Sequence, residues 1–288
     1  MSKHILVVAN QTIGGATLLD LVKERAKEED TSFTLVVPMT RPRSGYVIYD
    51  DAVRESAQVR LDLTLSYLRG EDVVASGELG DEDPYTATLD AIDEYKPDEV
   101  IISTLPQSSS GWLRRDLIER IQDATEAPVT HVISDVNEEG LPFQVTLVIA
   151  NVTAGRGDLR TRMKELAAET DDMLFIVVVP LQAHGDGRAA AVARARLGNT
   201  LDKMRREGLL VAGMVGDPDP YTAAMNALQF YKVSRIIVST LPVTRSGWLR
   251  ADLISRLRKA SNIEVEHIVA EQQSDEQADP AAATDGPR

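Results

Sequence analysis

Residues 80–87 read GDEDPYTA, and residues 216–223 read GDPDPYTA. The segment STLPQSSSGWLRRDLI at 103–118 returns as STLPVTRSGWLRADLI at 239–254. Both lie inside two stretches, Gly80–Asp135 and Gly216–Glu271, that align without a gap and agree at 27 of 56 positions. A period near half the chain predicts duplicated domains and excludes the short periods of solenoids and propellers. Residues kept in both copies serve one shared backbone geometry or one shared site.

Working outward from the repeat, the first half opens with an apolar, β-branched run at His4–Asn10, the pattern of a central parallel strand covered on both faces. Further runs predict strands at Phe33–Pro38, Asp72–Gly77, Glu99–Ser103 and Val129–Ser134. Between them, Asp51–Leu68 carries Val53, Ala57, Leu61, Leu65 and Leu68 at helical spacing. Asp83-Pro84 reads as a cap followed by a first-turn proline, starting a helix over Pro84–Tyr95. A further helix is predicted over Trp112–Ala124. The second half repeats the order, with strands predicted at Val145–Ala150, Leu174–Val179, Leu210–Gly213, Arg235–Ser239 and Val265–Ala270.

Strands alternating with helices imply right-handed crossovers and parallel sheets. The fold class is therefore α/β: two tandem Rossmann-like domains, each a five-stranded, mainly parallel sheet flanked by helices. Residues 1–136 form the first domain, 137–143 a linker and 144–271 the second domain. Residues 272–288 are an acidic tail without apolar periodicity, read as disordered.

The chain has 288 residues, 43% of them hydrophobic, and a net charge of −14. That charge disfavours nucleic acid, whose phosphates need a cationic face, and anionic membrane surfaces. The apolar runs are too short to span a bilayer, and the N-terminus has no signal-peptide pattern. A cytoplasmic protein is expected. With no cysteine, disulfides, zinc thiolates and cysteine nucleophiles are excluded.

Ligands of open α/β sheets bind beyond the carboxyl ends of the strands. Three shared segments fall there: Asn10, Thr12 and Gly14, matched by Asn151, Thr153 and Gly155; Gly80-Asp81, matched by Gly216-Asp217; and the loop after the fourth strand. That loop offers Ser103, Thr104, Ser109, Ser110 and Gly111 in one copy, and Ser239, Thr240, Thr244, Arg245, Ser246 and Gly247 in the other. Hydroxyls, a glycine and a following helix N-terminus suit an anion, with Arg245 as its charged contact. The same serines also suit simple helix capping. Asp81 and Asp217 suit a turn bonded to its own backbone, or a ribose or metal contact. Trp112 and Trp248 suit packing of the loop or stacking on a base. His131 and His267 hold equivalent strand positions without neighbouring metal-ligating residues. No GxSxG, HExxH or GxxxxGK[ST] motif occurs, which lowers the expectation of an enzyme.

On the strand order, the strand-end G-D and the ST-L-P…SGWL segment, the chain resembles the universal stress protein family, present twice. The resemblance covers Lys3–Asp135 and Gln144–Glu271. It implies ATP bound through a G-x2-G-x9-G-[ST] loop and an acidic residue ending the first strand. Here the glycine positions hold Thr104, Gln107 and Arg115 in one copy, and Thr240, Val243 and Ala251 in the other, while the first strands end in Asn10 and Asn151. Without glycine, close backbone approach to phosphate is lost.

The resemblance also implies pairing of the two halves as a pseudo-dimer through their fifth strands, Val129–Ser134 and Val265–Ala270, with His131 and His267 near the axis. A homo-oligomer remains compatible with it. The expected function is a non-enzymatic stress-response or regulatory module with no required cofactor. It binds ATP, AMP, another nucleotide or a small anion at the strand ends. The alternative is a protein–protein interaction module without a small-molecule ligand.

Overall fold

The computed structural model describes residues 2–28, 30–39, 50–106, 116–170, 172–181, 187–242 and 252–270. The first half runs β1 (Lys3–Val8), α1 (Ala16–Arg25), β2 (Thr31–Pro38), α2 (Asp50–Gly70), β3 (Ala75–Gly80), α3 (Pro84–Tyr95), β4 (Glu99–Thr104), α4 (Leu117–Ala124) and β5 (Val129–Ile133). A short helix, α5 (Val136–Glu139), leads into β6 (Gln144–Ile149), α6 (Gly157–Glu169), β7 (Met173–Pro180), α7 (Gly187–Arg206), β8 (Leu210–Gly216), α8 (Pro220–Phe230), β9 (Arg235–Thr240), α9 (Leu253–Ser261) and β10 (Glu264–Val269).

Each half forms its own sheet, with strand orders β3-β2-β1-β4-β5 and β8-β7-β6-β9-β10, and every strand pair is parallel. The orders are identical, and all-parallel pairing explains the unbroken apolar runs of the central strands. β1 and β4 are covered on both faces, and Ile5, Leu6, Val7, Val8, Ile101 and Ile102 are buried. The repeated G-D-x-D-P segment does the same work twice. Asp81 Oδ1 accepts from the Asp83 N–H at 2.8 Å, and Asp217 Oδ1 from the Asp219 N–H at 2.8 Å. Asp83 and Asp219 then cap α3 and α8 by accepting from the Thr86 and Thr222 N–H groups at 3.1 and 3.0 Å.

The third strand lies three residues later than its expected start, at Ala75, because Asp72 takes a left-handed φ of 57° that ends the turn after α2. The predicted linker is partly helical and docks on the first half. The Glu139 carboxylate meets the start of α1, accepting from Thr17 and Ser134. A carboxylate there complements the positive helix terminus, whose Gly15 N-cap offers no side chain. Phe143 stacks tilted on Tyr67 with ring centroids 5.3 Å apart.

The halves pair within the chain, but not through their fifth strands. β5 is hydrogen-bonded to β4 and β10 to β9, each at the outer edge of its own sheet. The contact between the halves is α2. One stripe of it, Ala57, Leu61, Thr64 and Leu68, faces its own sheet: Leu61 packs over Gly77 of β3, and the Thr64 hydroxyl donates to the Ile13 carbonyl. Helical spacing puts Ser56, Val59, Leu63, Ser66 and Gly70 on a second stripe, and its first four members are buried as well. Gly70 adjoins Leu210 of β8, and the Ser56 carbonyl accepts from the Tyr231 hydroxyl at 3.3 Å. α2 thus runs along β8, the edge strand of the second sheet. Arg205 of α7 seals the junction: it donates to the Val211 carbonyl at 3.2 Å and pairs with Asp62 at 3.6 Å. Arg194 pairs with Glu55 at 2.8 Å.

A helix laid over an edge strand removes an exposed row of backbone groups. Glu266 of β10 is held by Arg162 and Arg235 of its own half, and Thr130 of β5 bonds Glu99. The expected meeting of His131 and His267 is corrected likewise. Each imidazole Nε2 bonds inside its own half, to the Thr104 hydroxyl at 2.9 Å and the Thr240 hydroxyl at 2.8 Å.

Candidate functional site

Several of the shared strand-end residues hold the backbone together. Thr12 and Thr153 donate to the Ser103 and Ser239 carbonyls at 3.2 and 2.9 Å, tying the turn after the first strand to the end of the fourth. Gly80 and Gly216 let a helix approach closely: a Cβ on Gly80 would lie 2.7 Å from the Ala87 Cβ, and one on Gly216 2.8 Å from the Ala223 Cβ. Gly14 abuts Leu141 and Phe143. The hydroxyls of Ser103 and Ser239 are buried without a hydrogen-bond partner among the described residues in either copy. Ser109, Ser110, Gly111, Thr244, Arg245, Ser246 and Gly247 lie outside the described residues, as do Trp112 and Trp248.

Asn10 and Asn151 distinguish the halves. Each donates its amide to a carbonyl at the end of the second strand, Asn10 to Pro38 at 2.8 Å and Asn151 to Pro180 at 3.1 Å. In the first half the Asn10 Oδ1 accepts from Arg60 Nη2 at 2.7 Å. Arg60 comes from α2 and lies so deep that burial lowers its pKa; the buried Tyr231 ring of the second half stands nearby. Burial raises the pKa of the Tyr231 hydroxyl, which stays protonated and able to donate. Asn10 itself is buried. In the first copy the strand-end acceptor of Asn10 is therefore taken by the chain's own guanidinium.

In the second half, α7 supplies the counterpart. RLDLTL at 60–65 corresponds to RLGNTL at 196–201, so Arg196 is the twin of Arg60. Arg196 is exposed and makes no side-chain hydrogen bond or ion pair among the described residues. It lines a cavity of about 790 Å³ together with Asn151, Gly155, Leu181, Val192 and Thr200. Such a volume falls in the range of small-molecule sites, roughly 300–1,000 Å³. Among the described residues that line it, Arg196 is the one charged side chain. Gly155 leaves the floor open, since a Cβ there would meet Thr200 only at 3.9 Å.

The surrounding charge agrees. Residues 1–143 carry 13 Lys and Arg against 27 Asp and Glu, while residues 144–270 carry 17 against 13. The acidic total conceals a second half that is net cationic, and cationic surroundings raise the local concentration of anions. The Arg60/Arg196 correspondence was present in the sequence as a continuation of the same 136-residue offset that relates 80–87 to 216–223. The charge asymmetry was also there to count.

Among the described residues, no group of three or more His, Cys, Asp or Glu is placed to hold a metal, and no helix is long and apolar enough to cross a membrane.

No protein-family model and no curated protein matches this sequence. Among solved structures, the chain is similar to a universal stress protein from Archaeoglobus fulgidus DSM 4304, with 16% identity over 94% of this chain and 97% of that one, at a TM-score of 0.34. It is also similar to MurG of Acinetobacter baumannii, with 10% identity over 92% of this chain and 85% of that one, at a TM-score of 0.23.

Proposed function

We propose that this chain is a non-enzymatic ligand-binding module of the universal stress type, with a stress-response or regulatory role and one open site, in its second half. The observation that carries the reading is the contrast between the twins: Arg60 is bonded to Asn10, whereas Arg196 lines a cavity beside Asn151. The ligand class is a nucleotide or another small anion. Titration with ATP, ADP, AMP and cyclic nucleotides tests the nucleotide form, read by calorimetry and thermal shift. Binding of one equivalent per chain that weakens in Arg196→Gln supports it. No heat and no shift with any of them refutes it.

A second reading is a protein-interaction module. It draws on the edge strands β3, β5 and β10, beside or on which Val74, Ile133 and Val269 are exposed. Unpaired edges accept an added strand. Loss of partner capture on Ile133→Lys or Val269→Lys, with no effect of Arg196→Gln, is the outcome that favours it.

A further inference from the structure

Resting on the reading of the second-half cavity as a ligand site, we infer that its ligand is an organic carboxylate with a single charge and an apolar body. The wall is mostly hydrocarbon: Val152, Ala154, Val179, Leu181, Val192 and Leu197 line it. Val152 and Val192 are 61% and 46% exposed, two of the few large apolar side chains left in water anywhere in the described chain. Exposed apolar groups converging on one concave site mark a surface that gains by being covered. Against this wall stands, among the described residues, one guanidinium, that of Arg196. One fixed charge matches one anionic group, and a guanidinium fork fits a carboxylate bidentately. A triphosphate would bring several negative charges to a wall whose described residues supply one cation.

The twin in the first half shows what the polar end offers. In the first half the Asn10 Oδ1 takes an N–H from Arg60. The Asn151 amide is oriented the same way, by its bond to Pro180, and its Oδ1 has no such donor among the described residues. The site therefore presents a cation in Arg196 and a neutral acceptor in Asn151, beside an apolar wall. An amphipathic carboxylate satisfies the first and the third, and a hydroxyl or amide N–H next to the carboxylate would satisfy the second.

The test uses the full chain, ¹⁵N-labelled, titrated in parallel with octanoate, 1-octanol, inorganic phosphate and AMP. Octanoate is expected to move the resonances of Val152, Gly155 and Thr200 and to leave those of Asn10 and Ile13 in place. Octanol, lacking the charge, and phosphate, lacking the body, are expected to bind at least tenfold more weakly. Arg196→Gln should weaken octanoate about tenfold and leave octanol unchanged. Val192→Asn should weaken octanoate and octanol together; both positions are exposed, so neither variant threatens the fold. Equal binding of octanoate and octanol overturns the carboxylate assignment. AMP moving the same resonances while octanoate does not overturn it too, and keeps the site. Ligand-induced shifts at Asn10 in place of Gly155, or none with any of the four, overturn both the ligand class and the site.

Discussion

Replacing Leu63 by alanine tests the seam between the halves, and the duplication supplies the control. Leu63 lies on the second stripe of α2 and is 4% exposed. Its twin on α7, Asn199, is exposed. Leucine to alanine removes about three methylene equivalents, near 0.8 kcal/mol each, so the transfer loss alone is about 2.4 kcal/mol. Incomplete collapse of the cavity brings the usual range for such a change to about 2–5 kcal/mol. Asn199→Ala removes no buried contact and is expected to stay within about 0.5 kcal/mol. The assay is urea denaturation followed by circular dichroism, with the loss read from the shift in midpoint at constant slope. Because α2 belongs to both cores, Leu63→Ala should also separate one transition into two if the halves uncouple. A loss below about 0.5 kcal/mol, matching Asn199→Ala, would refute the assignment of this stripe to a packed seam.

Three further outcomes follow from the geometry. Gly80→Ala and Gly216→Ala each drive a methyl to within 3 Å of a helix alanine, so each should cost about 1–3 kcal/mol by overpacking, whereas Gly155→Ala should leave the urea midpoint nearly unchanged. If the first two are tolerated as well as the third, these glycines are not there for helix approach. Burial lowers the pKa of His131, and burial with the Arg258 charge lowers that of His267. A histidine depressed in the folded state stabilises above its unfolded pKa, near 6.5, and that stability is lost as pH falls through the folded value. The urea midpoint should therefore drop between pH 7.5 and 5.5, and the double variant His131→Gln, His267→Gln should flatten that drop; an unchanged slope would contradict it. Glu55→Gln should shift the midpoint by less than about 1 kcal/mol, because its partner Arg194 is close to half exposed and the pair is screened by solvent. A loss of several kcal/mol would mean that this ion pair, and not the apolar stripe, holds the seam.

How much of this was legible in the sequence depended on how local the cause was. The caps at Asp83 and Asp219 could be read, because a G-D-x-D-P turn is decided by its own residues. The central strands could be read from runs such as HILVV, since burial on both faces leaves no polar alternation. The second stripe of α2 could not. Ser56 and Gly70 are not apolar, and they meet Tyr231 and Leu210, roughly 175 and 140 positions away in the chain. The expected fifth-strand pairing came from resemblance, and the alternating glutamates of β10 spoke against it: Glu264 and Glu266 charge that strand and engage Arg235 and Arg162. The difference between the two sites was hidden for another reason. Arg60 and Arg196 are the same residue at the same place in the repeat, and only the neighbourhood of Tyr231 and the path of α2 set one inside and leave the other at the cavity.

The chain has no cysteine, so the arrangement of the halves can be measured with two introduced pairs and a short bifunctional maleimide. Cysteines at Glu55 and Arg194 replace side chains whose charged groups lie 2.8 Å apart across the seam. Cysteines at Ile133 and Val269 sit on the exposed fifth strands. The first pair should cross-link within one chain in high yield and the second should not, as judged by peptide mass spectrometry. Efficient linkage of Ile133 to Val269 within a single chain, with little between 55 and 194, would contradict the joining of the halves through α2 and the proposed second-half site that draws on it.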